Sequence, residues 1–149
     1  ENAYESFHWI DADNSSDNVY TYFRTDGNGG EIAWANRYIP PYEKGHRKNE
    51  EEKLRDQEIK DLKEKTKGDR VLLTVLNLSG RDIPEYKIGV PAGPGYDCII
   101  DTDATRFGGR GIRNKKYKVI KGECNGYGQY VSLPLPAFSA VILERRVSS

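Results

Sequence analysis

Between Val71 and Leu78 the chain reads VLLTVLNL, in which nearly every position is apolar. Successive side chains of an extended strand point to opposite faces, so a run without alternation suits water on neither side. Such a segment belongs in the middle of a sandwich, with both faces covered. This requirement orients the reading of the rest of the chain.

Further runs of strand composition stand on either side. Phe7 to Asp11 is aromatic and β-branched and ends in the polar cluster Asp11 to Asn18, a short strand followed by a turn. Val19 to Arg24 is a second strand, closed by Asp26-Gly27-Asn28-Gly29-Gly30, which signals a hairpin or loop. Tyr86 to Val90 ends at Pro91, and after a Pro/Gly turn over 91–95, Tyr96 to Asp101 forms another strand. Tyr117 to Ile120 and Tyr130 to Leu135 alternate, and Ala140 to Leu143 closes the set. Short strands separated by Gly/Pro turns predict an all-β fold, an antiparallel β-sandwich with Greek-key connections. The 149 residues fit one domain, spanning 1–149.

One block departs from this pattern. From Glu43 to Lys67 charged residues dominate, and Leu54, Ile59 and Leu62 are the large apolar ones. Opposite charges four apart (Glu51/Arg55, Asp56/Lys60, Asp61/Lys65) support a helix by a few tenths of a kcal/mol each. The apolar stripe is thin, so the block reads as a solvated helix or a partly disordered insertion, entered through Pro40-Pro41 and left through Gly68-Asp69.

Charge and composition exclude several functions. Twenty-three basic residues balance 23 acidic ones, which argues against a nucleic-acid binder, since that needs a basic surface. No apolar run approaches the roughly 20 residues that cross a membrane, and the N-terminus carries no basic-then-apolar leader pattern. Cys98 and Cys124 read as reduced thiols of a cytoplasmic protein, and two thiols without a histidine cluster hold no zinc. Asn14-Ser15-Ser16 and Asn77-Leu78-Ser79 match the glycosylation triplet, a pattern that arises often by chance. The absence of methionine predicts a chain that starts inside a longer gene product.

Catalysis finds no support in the residues. The histidines are His8 and His46, the first beside Trp9 in a strand and the second at the start of the charged block. Neither has the context of a nucleophile's base. Asp101 and Asp103 share a strand face and resemble a carboxylate pair, but a strand end entering a glycine-rich loop is where aspartates cap turns. Gly108-Gly109-Arg110-Gly111 leads back into a strand rather than opening a helix, so it lacks the context of a phosphate cradle. We assign no catalytic residue, no metal and no cofactor.

Several stretches, in order, resemble one family. FHWIDADNSSDNVYTYFR, LLTVLNLS, YKIGVPAGPGYDCIIDTDATRFGGRG and VSLPLPAFSAVILERR are similar to the C-terminal all-β domain of 1,4-α-glucan (glycogen) branching enzymes of the α-amylase superfamily. The run from Tyr86 through Gly111 carries most of the likeness, and only about residues 28–69 fall outside it. The resemblance implies a parent enzyme of glycogen biosynthesis that cuts an α-1,4-glucan and transfers the segment to a 6-hydroxyl. In that family catalysis occurs in a (β/α)8 barrel, whose motifs are absent here. This piece is therefore expected to be inactive alone, to stabilise the barrel of its own chain, and to expose an apolar patch where the barrel sits. Asp101, Asp103, Phe107, Gly108, Gly109 and Gly111 are expected to build a structural loop. An insertion at about 31–69 departs from the family. Its aromatics, Trp34, Tyr38 and Tyr42, raise the alternative of a carbohydrate-binding module that holds α-glucan. No nucleic-acid or membrane partner is expected.

Overall fold

In the computed structural model, which describes residues 7–11, 18–102 and 116–147, the strand-forming runs sort into two antiparallel sheets. The elements in chain order are β1 (Phe7–Asp11), β2 (Val19–Thr25), α1 (Gly29–Ala35), α2 (Glu50–Thr66), β3 (Val71–Asn77), β4 (Ile83–Gly89), β5 (Tyr96–Asp101), β6 (Lys116–Tyr117), β7 (Ile120–Cys124), β8 (Tyr127–Leu135) and β9 (Ser139–Arg145). One sheet has six strands in the order β1-β2-β3-β9-β5-β6, the other three in the order β4-β8-β7. The chain passes between sheets after β3, β4, β6 and β8. β9 thus returns from late in the sequence to lie between β3 and β5, a long-range return of the Greek-key kind.

The core lies between the sheets. Val19, Phe23, Val71, Leu73, Val75, Val141 and Leu143 point inward from the larger sheet and Ile88, Val131, Leu133 and Leu135 from the smaller. Burying each such side chain contributes roughly 1.5–3 kcal/mol before chain entropy is counted. Gly89 is needed where β4 approaches the β7–β8 turn, because a Cβ there would fall 2.0 Å from the Cys124 carbonyl oxygen. Its N–H donates to Asn125 Oδ1. Asn77, the asparagine of the second glycosylation triplet, is fully buried. Its Nδ2 donates to the carbonyls of Arg81, Leu135 and Pro136, so it ties β3 to the β8–β9 turn and is not an acceptor site. Tyr96, equally buried, donates its hydroxyl to the Pro91 carbonyl, and burial holds its pKa well above the usual phenol range. Cys98 and Cys124 lie in different sheets and form no disulfide.

Three expectations change. The Gly-rich stretch after β2 does not close a hairpin: from Gly29 it opens α1, which places Ile32 and Ala35 in the interior. Tyr117 to Ile120 is not one strand, since the ladder breaks at Lys118-Val119 and the chain crosses from the large sheet to the small one. And β3 has one buried face rather than two. Val71, Leu73, Val75 and Asn77 are buried, whereas Leu72, Thr74 and Leu76 on the other face are only half-buried.

The charged block resolves as a helix. Asn49 caps α2 by accepting from the Glu52 N–H at 2.8 Å, while the Glu52 carboxylate accepts from the Asn49 N–H at 2.9 Å. This reciprocal arrangement satisfies two groups that a helix start leaves open. The pairs expected along α2 give way to others, some local and some reaching outside the helix. Arg55 bonds Tyr42 and Asp56, Lys48 pairs with Asp56, and Lys65 reaches Glu31 of α1. At the far end Arg145, at the end of β9, donates to the carbonyls of Thr66, Asp69 and Ala92. A buried guanidinium thereby caps α2 and fastens it to the sandwich.

Candidate docking face

The half-buried side of β3 is part of a larger surface. Backbone register sets Tyr20 beside Leu76 and Leu76 beside Ala140 in one row. The next row runs Tyr22, Thr74, Ile142 and Ile100 across β2, β3, β9 and β5. Beyond it Arg24, Leu72, Glu144 and Asp97 form a charged margin. There Arg70 pairs with Glu144 at 2.6 Å and Arg146 with Asp97 at 2.9 Å. The two inner rows are thus largely apolar, and Ile100 is among the exposed large hydrophobic residues.

Leu78 and Phe138 continue the same alternation at the opposite edge and are 53% and 73% exposed. Phe138 also takes a left-handed backbone conformation, with φ of 52°, which a bulky residue rarely adopts. The turn is held by its surroundings: Phe138 N–H donates to the Ser79 carbonyl and Ala137 N–H to Asp82 Oδ1. Its ring lies 3.6 Å from where a Cβ on Gly80 would stand. A strained residue that presents an aromatic ring outward is a pointer to function. No sequence motif marks Phe138, Ile142 or Ile100. The usable signal was Ala140-Val141-Ile142-Leu143, which like β3 has no polar alternation.

The remaining candidates are scattered. Asp101 is buried at the end of β5 opposite Val141, and Thr102 closes that end by exchanging hydrogen bonds with Ala140. Asp103, Phe107, Gly108, Gly109 and Gly111 lie outside the described residues. Trp34 sits on α1 with the Arg37 guanidinium 4.1 Å above its ring. Tyr42 is stacked on His46 with centroids 4.9 Å apart, and its hydroxyl donates to Asp56. Tyr38 is 40% exposed. Each of these two covered rings has a neighbour where a sugar would stack. His46 meets Glu52 at 3.0 Å, a contact within the insertion. Among the described residues no three His, Cys, Asp or Glu side chains are placed to hold a metal, and no helix is long and apolar enough to cross a membrane.

Comparison with known proteins places this arrangement. The model of the α-amylase C-terminal all-β domain matches residues 62–146, more than half of the chain. A 1,4-alpha-glucan branching enzyme GlgB of Fusobacterium nucleatum is 40% identical over 76 residues, covering 49% of this chain and 12% of the relative. The enzyme of that name from Bacillus cytotoxicus is 26% identical over 143 residues, covering 95% of this chain and 16% of the relative. The one from Prochlorococcus marinus is 32% identical over 87 residues, covering 58% and 12%. The chain thus spans less than a fifth of the length of these relatives. The Bacillus cytotoxicus alignment runs through the α1–α2 region as well as the sheets. The chain belongs to the α-amylase C-terminal all-β domain family.

Proposed function

We propose that residues 1–149 form the non-catalytic C-terminal sandwich domain of a cytoplasmic 1,4-α-glucan branching enzyme, with the insertion at about 31–69 anchored in the core by Ile32 and Ala35. Its task is to cover and stabilise the catalytic (β/α)8 barrel of the same chain. The observation that carries this reading is the apolar outer face of the six-stranded sheet, from Leu78 and Phe138 across Leu76 and Ile142 to Ile100. Apolar surface left in water favours being covered, at about 25 cal/mol per Å2, and interfaces between domains of one chain commonly span roughly 600–1,500 Å2. Support also comes from the relatives' name and from their much greater length.

The test compares Ile142→Lys in two settings. In the full-length protein it should lower the melting temperature of the catalytic domain and the branching activity. In the 149-residue chain alone its effect on melting should be small. An equal loss in both would place Ile142 in the domain's own stability and sink the docking role. Branching activity from this chain alone would overturn the non-catalytic assignment. Glucan binding is the second reading, favoured by the exposure of Tyr38. Saturable binding of maltoheptaose that is lost in Trp34→Ala or Tyr38→Ala would support it, and no response at millimolar sugar would remove it.

A further inference from the structure

A second surface feature lies away from the apolar face. Between the C-terminal half of α2, the end of α1 and the 92–93 turn is a cavity of about 320 Å3, lined by Asn36, Lys60, Lys63, Lys67, Gly93 and Arg145, among others. Lys60, Lys63 and Lys67 recur at helical spacing, so α2 presents them on one side. Glu64 is the carboxylate in the lining and is paired with Lys67. The cavity is therefore strongly basic in a chain whose total charge is zero.

Arg145 makes the imbalance deeper. It is 4% exposed, and every acceptor it reaches is a neutral backbone carbonyl: Ala92, Thr66 and Asp69. Among the described residues no carboxylate forms an ion pair with it, and its Nε–H is buried without an acceptor. The end of α2 supplies at most about half a negative charge, and the Thr66 carbonyl there is already taken by Nη2. A buried cation without a paired counter-charge is costly, and burial holds the Arg145 pKa below its ordinary value even though the nearby Asp69 carboxylate offsets part of that cost. An anion in the adjoining cavity would offset that cost. The Asn36 amide adds no competing group, because it is spent on the Ile32 carbonyl and the Ala92 N–H.

We propose that this cavity binds the phosphate group of a small phosphomonoester. A phosphomonoester carries about −1.5 to −2 charge near neutral pH, which matches three lysines and an arginine set against one glutamate. Cavities that enclose small ligands start near roughly 300 Å3, so the space admits a sugar-sized body beyond the phosphate. The lysines hold the anion from α2, and the Arg145 charge favours it from beneath. The site is independent of the apolar face and of catalysis.

Titration calorimetry on the 149-residue chain tests this, at constant ionic strength set with chloride, using inorganic phosphate, a hexose monophosphate and the neutral hexose. Saturable binding of both phosphates and none of the neutral sugar is expected. Tighter binding of the hexose monophosphate assigns the site to a phosphosugar, and equal binding assigns it to free phosphate. Lys60→Gln/Lys63→Gln should weaken binding by about tenfold or more, as lost charge-assisted contacts do, with helix content by circular dichroism unchanged. Glu64→Gln should strengthen it, and Lys53→Gln should leave it as it was. No response beyond that to chloride, or undiminished affinity in the double variant, would overturn the proposal.

Discussion

The two outward faces of the sandwich are built from the same kind of strand and differ sharply in chemistry. On the six-stranded sheet, outward positions hold Leu76, Ala140, Ile142 and Ile100, and Leu78 and Phe138 extend that surface. On the three-stranded sheet, Lys87 and Ser132 stand side by side on β4 and β8, with Glu85 exposed further along β4 and Ile120 exposed beside Tyr130. The Lys87 ammonium lies 5.3 Å from the Tyr130 ring centroid, a polar handle over an aromatic body. A one-sided sheet alternates apolar and polar residues, as β4 partly does, and β3 and β9 abandon that rule. Water explains the composition of the small sheet's outside. It does not explain the large sheet's, which the proposed contact with the catalytic barrel would account for.

The shared core gives the scale against which the faces compare. Phe23→Ala, fully buried and edge-on to Tyr127 at 6.5 Å, should destabilise the chain by about 3–5 kcal/mol in denaturant titrations. Next comes Arg145→Met, which leaves the Thr66, Asp69 and Ala92 carbonyls without their donor. A cost of about 1–3 kcal/mol is expected, together with loss of helical signal from the end of α2. A smaller core-like effect at either outer face would sharpen the contrast. Leu76→Lys should cost about 1 kcal/mol or less in this chain, and Lys87→Leu should stay within about 0.5 kcal/mol. If Leu76→Lys matched Phe23→Ala, the large sheet's outside would be a second core and the docking argument would fail.

The smallest effect is a pH response confined to the insertion. The Asn49 N–H and then His46 hold the Glu52 carboxyl below the usual glutamate range. A depressed folded-state pKa adds stability above the unfolded-state pKa and loses it as pH falls through the folded value. Acidification from about pH 5 downward should therefore erode α2 helicity before the sheets respond. Circular dichroism should show a flatter profile in Glu52→Gln, and an unchanged profile would mean that the capping box contributes nothing there.

The strands were readable in the sequence from short apolar, β-branched and aromatic runs bounded by turn residues, and Val19–Thr25, Val71–Asn77 and Ser139–Arg145 lie within a residue or two of their expected bounds. Three features were not readable. Gly29-Gly30 carried a turn signal locally, but tertiary burial of Ile32 and Ala35 selects a helix there. The capping pair Asn49 and Glu52 was present in the sequence but was masked by the density of charge around it. Arg145 looked like one of several closing charges, because its partners come from residues 66, 69 and 92, which only the fold brings together. The docking face was half-legible. Unbroken apolar runs in β3 and β9 announce two covered faces, and among the described residues the smaller sheet covers one.

Thiol labelling can tell a covered face from an exposed one. In a background with Cys98 and Cys124 replaced by serine, Phe138→Cys reports on the large sheet's outer edge and Lys87→Cys on the small sheet's outside. Both positions should react readily in the 149-residue chain. In the full-length protein position 138 should become protected by more than about tenfold, as buried interface positions are, while position 87 reacts as before. Equal reactivity at 138 in the two proteins, or protection at 87 instead, would contradict the assignment of the six-stranded sheet as the face that meets the catalytic domain.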